Sequence, residues 1–251
     1  MADGGRGRPA DVLALAAVCI TIVTWGSSFA AIRVALVALT PLQLAAARYL
    51  LAAAAAGAFL LLVRPPLPSL RDFVRLAVVG VLFVTGYALF LNTGEMTVKA
   101  GPASFILQVN PIIVALLAIP LLGERFGPYS WLGTFAAFGG IGLIALGGEG
   151  TFSFDVGALL VLGSAVCGAI SSILQKPMLR RMSPLVVTAW VLFLGALPML
   201  PAGPDSFAAL AAAPADVVLS VLWLAVMPTL LGYATWAVAL QRMPAGRASN
   251  F

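Results

Sequence analysis

The side chains that could carry chemistry in this chain are few and form no catalytic set. Its 251 residues include no histidine, which removes Ser/His/Asp and Cys/His catalysis along with any histidine-ligated metal. Cys19 and Cys167 lie inside apolar runs with no CxxC spacing, and read as small packing residues rather than a disulfide, redox pair or metal site. No aspartate falls within the body of a predicted span, so an intramembrane hydrolase lacks its starting points, and neither an enzyme nor a cofactor is predicted. What is left is hydroxyls, amides and aromatic rings in apolar surroundings, a chemistry of binding rather than of bond breaking.

Helical spacing gathers these groups into stripes. Ser164, Gly168, Ser171 and Gln175 fall at i, i+4, i+7 and i+11, and Thr21, Thr24 and Ser28 at i, i+3 and i+7, with Trp25 and Ser27 alongside. Ser104, Gln108 and Pro111 share a third face, with Asn110 directly before the proline. Pro111 lacks a backbone donor and crowds the carbonyl of Leu107, which predicts a helix break there or a plain kink. The Gln108 amide has four hydrogen-bonding sites that need partners or water at depth. Tyr87 and Phe90, then Tyr233 and Trp236, add aromatic rings at helical spacing. The candidate substrate-binding set is therefore Trp25, Ser28, Tyr87, Ser104, Gln108, Asn110, Ser171, Gln175, Trp190, Tyr233 and Trp236. Two readings compete for it: the stripes line a wet path for a small solute, or small and hydroxyl residues simply let helices pack closely. For Trp131 and Trp223 an interfacial belt or core role is the stronger reading.

Charged candidates are scarce. Arg48, some seven residues into its span, either contacts an anionic group of the substrate or snorkels to the outer headgroups, and snorkelling is the simpler reading. Glu95 and Lys99, at i and i+4, predict an ion pair at an outer helix end, with a proton carrier as the secondary reading. Glu124-Arg125 reads as an anchor at an inner helix end. No carboxylate is predicted at mid-depth, so uniport and exchange stay open beside proton coupling.

The elements that must position these residues follow from composition. The chain is 62% apolar and 9% charged, against about a quarter charged in a soluble domain, and a crossing takes roughly 20 helical residues, leaving room for about eight. Apolar runs divided by charge, Pro and Gly predict helices over 12–36, 41–63, 73–96, 102–122, 129–147, 157–178, 184–201 and 216–241, with a ninth beginning near Ala245. Backbone groups in lipid must be satisfied within the segment, and no alternating ten-residue pattern is present, so the spans are helices rather than barrel strands. With the N-terminus inside, eleven of the fourteen basic residues fall in inner segments, as cytoplasmic loops require. This predicts an inner-membrane protein with residues 1–11 as a cytoplasmic tail. The basic residues form no patch, so the predicted partners are the lipid bilayer and a small-molecule substrate, not nucleic acid.

An internal repeat decides the architecture. Ser27-Ser28 recurs as Ser171-Ser172, Thr40-Pro41-Leu42 as Ser183-Pro184-Leu185, Gly86-Tyr87-Ala88 as Gly232-Tyr233-Ala234, and Ala100-Gly101-Pro102-Ala103-Ser104 as Ala245-Gly246-Arg247-Ala248-Ser249, all at offsets of 143 to 146 residues. An odd number of crossings per unit makes the second copy enter the membrane inverted. The prediction is an all-α polytopic membrane protein, an inverted repeat of five-helix bundles with about eight complete transmembrane helices of an expected ten. Residues 12–147 form the first repeat, 148–156 a linker, and 157–251 a second repeat that lacks its last two helices.

Trp25-Gly26-Ser27-Ser28-Phe29, Pro41 with Arg48, and Ala103-Ser104 through Asn110-Pro111 to Leu122-Gly123-Glu124-Arg125 resemble the drug/metabolite transporter superfamily, specifically its EamA-type families. Tyr233-Ala234-Thr235-Trp236 through Arg242-Met243-Pro244-Ala245 is similar to the matching entry into a second fourth helix. The resemblance implies a ten-helix secondary transporter, both termini cytoplasmic, with a central cavity between halves and frequently an export role for amino acids or other small metabolites. The alternative is a non-transporting or truncated membrane scaffold.

Overall fold

The computed structural model describes residues 11–124, 131, 132, 135, 136, 139 and 156–249. The tail 1–10, most of the predicted span 129–147, nearly all of the linker, Arg125 and Phe251 lie outside the described residues. Among those described, seven helices are long and apolar enough to cross a membrane: α1 (Val12–Ala35), α2 (Pro41–Val63), α3 (Leu70–Gly94), α4 (Ala100–Leu122), α5 (Val156–Leu179), α6 (Pro184–Ala212) and α7 (Ala215–Arg242). A short α8 (Ala245–Ser249) follows. The described residues contain no strand.

The repeated signatures Thr40-Pro41-Leu42 and Ser183-Pro184-Leu185 are helix starts. Thr40 and Gln43 form a reciprocal capping box, with Pro41 at the first helical position of α2. Ser183 accepts the N–H of Val186, with Pro184 opening α6. In both, a hydroxyl takes an otherwise orphaned donor, and proline stands where its missing N–H costs nothing. Asp11 caps α1 and Ser69 caps α3 in the same way.

One predicted boundary is corrected. The span expected to stop at 201 continues through a tight turn, Leu197–Ala202, into Gly203–Ala212. Pro198 and Pro201 each remove a donor, and i→i+3 bonding absorbs the loss without ending the helix.

The bundle is assembled by four main pairings: α2 along α6, α3 along both α5 and α6, and α1 along α7. Its interior is built largely from alanine, while Leu61, Leu62, Leu116, Leu121, Leu159 and Leu219 stand exposed on the outside. That inversion of the soluble pattern suits a lipid surround, where small residues let backbones approach. Gly80 and Gly195 mark the closest approach, between α3 and α6: a Cβ on Gly195 would lie 2.5 Å from the Gly80 carbonyl oxygen. Gly195→Ala is therefore expected to cost about 1–3 kcal/mol by overpacking. Gly101→Ala, whose Cβ meets open space, is expected to be neutral or to gain up to about 1 kcal/mol of helix propensity. Thermal unfolding in detergent micelles checks the pair, and equal effects would refute the crossing as a constraint.

Candidate functional site

Three interruptions of regular helix shape the centre of the bundle. In α4 the break predicted at Pro111 occurs one turn earlier in the chain: Gln108 and Val109 donate to the carbonyls of Phe105 and Ile106, 3.0 and 3.1 Å away, and the helix restarts at Asn110. Asn110 donates to the carbonyl of Ala165 on α5 at 2.9 Å. The other two interruptions are π turns at corresponding repeat positions, Val81–Gly86 in α3 and Ala225–Leu231 in α7.

Each π turn skips a carbonyl, and an aromatic side chain from elsewhere in the chain caps it. In α3 the Tyr87 N–H bonds to Leu82 rather than Phe83, and the Phe83 carbonyl accepts the Tyr233 hydroxyl of α7 at 2.9 Å. In α7 the Gly232 N–H bonds to Met227 and Thr229 rather than Pro228, and the Pro228 carbonyl accepts the Trp25 indole N–H of α1 at 3.0 Å. Pro228 also offers no N–H to Leu224, and the Thr229 hydroxyl donates to that carbonyl at 2.8 Å. A buried carbonyl without a donor is costly, so these caps tie the helices together at defined rotations. Gly232 makes room for one of them, since a Cβ there would lie 2.6 Å from the Trp25 indole nitrogen.

The capping rings build one wall of a cavity of about 300 Å³ lined by α1, α2, α3, α4, α5, α7 and α8. Trp25 lies 5.4 Å from Trp236 and edge-on to Phe83 and Tyr233, both at 6.1 Å between centroids. Phe83 stacks on Tyr233 at 4.6 Å and meets Tyr87 edge-on at 5.8 Å. The Tyr233 proton is committed to Phe83, so the Tyr49 hydroxyl donates to Tyr233 across 3.1 Å. The lining also includes Ser104, Gln108, Asn110 and Pro111 of α4 and Gly168 and Ser172 of α5.

Of the residues singled out in the sequence, Trp25, Ser28, Arg48, Tyr87, Ser104, Gln108, Asn110, Pro111, Tyr233 and Trp236 meet around this one cavity. Ser171, Gln175 and Trp190 are not among its lining residues. Ser171 and Gln175 are buried in helix packing, and the α5 face turned to the cavity is rotated one residue on, to Gly168 and Ser172. Trp190 packs edge-on against Phe73 and Phe193. Sequence reasoning missed Tyr49, Phe83 and Thr229. A signal existed for two of them, because Phe83 and Thr229 lie one turn before Tyr87 and Tyr233 on the same faces.

Snorkelling is not what Arg48 does. It is 6% exposed, its Nε donates to the Thr229 hydroxyl at 2.7 Å, and its guanidinium carbon lies 4.8 Å from the Tyr49 ring centroid. The expected Glu95–Lys99 ion pair does not form either. Glu95, the residue after α3, is 2% exposed with neither carboxylate oxygen hydrogen-bonded. Arg33 donates instead to the backbone carbonyls of Glu95 and Val98. Burial pushes the Glu95 carboxyl up to about 8, against the downward pull of Arg33 and Arg48.

At the other end of the bundle, polar contacts clasp distant segments. The Glu124 carboxylate accepts the N–H groups of Ala245 and Gly246 at 2.8 and 3.2 Å, capping α8. Lys176 donates to the last carbonyls of α7, those of Leu240 and Met243, and Gln241 to Leu179. Arg181 pairs with Asp72, and Arg242 with Asp11, both at 2.9 Å. The Arg242 hydrogen bond, with the N–H of Ala14, holds the Asp11 carboxyl below the usual carboxylate range.

A bundle of apolar spanning helices around a polar and aromatic cavity is the build of a membrane transporter. The EamA-like transporter family model matches residues 12–146 and 155–251, and the chain belongs to that family: it is a transporter, not an enzyme. It is 32% identical over 231 residues to a Streptantibioticus cattleyicolor protein named a probable terminal-alkyne amino-acid exporter, covering 90% of this chain and 76% of that one. It is 27% identical over 255 residues to an Escherichia coli K12 protein named a probable amino-acid metabolite efflux pump, covering 96% and 81%. An Archaeoglobus fulgidus protein named an uncharacterized transporter is 29% identical, with coverage of 92% and 82%. One crystal structure superposes with a TM-score of 0.72 at 20% identity, over 94% of this chain and 82% of that one, and shares the fold.

Two measurements test the wall and the buried carboxyl. Tyr233→Phe strands both the Phe83 carbonyl and the Tyr49 hydroxyl and should cost about 1–3 kcal/mol, whereas Tyr49→Phe should cost only about 1 kcal/mol. The reverse order in detergent unfolding would show that the skipped carbonyl finds another donor. A carboxyl raised in the folded state supports folding fully below its ordinary value of 4.5 and loses that support up to about pH 8. The Tm of the wild type should therefore fall relative to Glu95→Gln across this window and level off above it. Parallel curves would mean that the Glu95 charge is compensated.

Proposed function

We propose that this protein exports small amphipathic metabolites, amino acids among them, through the central cavity by alternating access of two inverted halves. The observation that carries the reading is the reciprocal capping at the cavity wall: a residue of each half satisfies the carbonyl skipped by the π turn of the other. The helix pairings support the same division. α1 meets α7 as α3 meets α5, and α2 meets its own counterpart α6, the exchange expected of repeats related by a two-fold axis in the membrane plane. The halves are 12–147 and 157–251, of an expected ten-helix plan.

The excess of Lys and Arg places the N-terminus and the clasp of Glu124, Lys176, Arg181 and Arg242 on the cytoplasmic side of the inner membrane. In this reading the clasp is the gate that parts when the cavity opens inward. Export as the direction, and amino-acid metabolites as a substrate class, are carried over from what the relatives are named for.

The test is solute flux in liposomes containing the full chain. Gln108→Ala and Trp236→Ala should each lower flux of a transported amino acid by up to about tenfold, the worth of one hydrogen bond or ring contact at the site. Unchanged flux for both variants would remove the cavity from the path.

A further inference from the structure

One charged side chain stands in the cavity wall among the described residues, and it makes no ion pair. Arg48 is nine-tenths buried, and among the described residues its one hydrogen bond goes from Nε to the neutral hydroxyl of Thr229. The described ion pairs are Arg181–Asp72 and Arg242–Asp11, and neither includes it. The Tyr49 ring offers a partial cation–π contact. With Nε committed, the free part of the guanidinium is its terminal pair, Nη1 and Nη2, a fork shaped for the two oxygens of a carboxylate. A buried charge so placed is costly unless an anion joins it.

Trp236 also lines the cavity with its ring, while its indole N–H is buried without a hydrogen-bond partner. Among the described residues, nothing in the wall answers with negative charge. An ammonium group would meet only the neutral oxygens of residues such as Gln108 and Asn110, in the field of a guanidinium. The Glu95 carboxyl lies outside the lining. Even when ionised it would be one negative charge beside two guanidiniums, Arg33 and Arg48, both of which act on it electrostatically. A cavity of about 300 Å³ stands at the small end of small-molecule sites, and its rings suit a flat apolar body.

We propose that the transported species is an amphipathic monocarboxylate of net charge minus one, held by its carboxylate on Nη1 and Nη2 of Arg48, with its apolar body against the rings of Trp25, Tyr87 and Trp236. The site selects acids whose amine is absent or blocked over zwitterions and amines. This narrows the transport reading above from amino acids in general to amino-acid metabolites whose amine is blocked or absent, and rests on that reading for its biological meaning but not for its binding chemistry.

The experiment uses the full chain in lipid nanodiscs with four probes of one shape: 3-phenylpropionate, 3-phenylpropionamide, 3-phenylpropylamine and phenylalanine. Ligand-induced thermal shift reads binding, and counterflow in liposomes reads transport. The carboxylate should half-saturate the shift at a concentration about tenfold or more below the amide, as a charge-assisted pair requires, with the amine and the zwitterion weaker still. Arg48→Lys should keep part of that preference and Arg48→Gln lose it. Should Arg48→Gln fail to fold, Arg48→Lys carries the test: a point charge in place of the bidentate fork should weaken carboxylate binding several-fold and leave binding of the amide unchanged.

Equal binding of the four probes, binding of none, or a carboxylate preference undiminished by Arg48→Lys and Arg48→Gln overturns the proposal. If phenylalanine moves as fast as phenylpropionate and Arg48→Gln leaves that flux intact, the anion assignment falls while the transport reading stands. If the carboxylate binds with the expected Arg48 dependence but no solute moves, the site stands and the transport reading falls.

Discussion

A backbone carbonyl in a membrane protein has no bulk water to turn to, so each one released from its helix must be met by another group. Here the two π turns release the carbonyls of Phe83 and Pro228, and the hydroxyl of Tyr233 and the indole of Trp25 take them up. Much of the centre follows from that exchange. The two capping rings must stand side by side, Gly232 must stay small to admit Trp25, and Phe83, Tyr87 and Trp236 pack around the pair. The aromatic wall of the cavity is thus a by-product of satisfying two peptide groups.

The same economy sets where polar groups can stand. Thr229 gives its proton to Leu224 because Pro228 has none to give, and its oxygen then receives Arg48. The break at Gln108 and Val109 sets the α4 polar residues against the cavity, and Asn110 ties the restarted helix to α5. Away from the cavity, the interior is alanine and glycine at close helix crossings, where dispersion and fit replace the hydrophobic drive that lipid does not supply. A rigid, small-residue frame around a polar centre keeps the polar cost local.

Much of this was legible in the chain. The Thr-Pro and Ser-Pro helix starts, the proline-linked interruption near 108 and the lipid-facing composition are local properties, written in single residues and their immediate neighbours. The candidate cavity residues on α1, α4 and α7 were also readable, because hydroxyls, amides and aromatic rings rarely sit at depth without cause. Other features were not. Gln175 and Ser171 share a stripe with Gly168, yet the cavity face lies one residue on at Ser172; a residue step turns a helix by about 100°, and only packing partners set the rotation. Arg48 looked like a snorkelling side chain because its depth along α2 is readable, whereas Thr229, its partner, lies 181 residues away. The π turns leave no trace in a 3.6-residue period.

By itself, then, the sequence determined which segments enter the bilayer, where most helices start and where one breaks, since those outcomes depend on each segment's exchange with lipid and on its own backbone. The tertiary structure alone decided the rotation of each helix, which carbonyls a π turn would release and which distant ring would cap them. Those choices are settled by groups far apart in the chain competing for the same few donors, and no local pattern encodes the winner.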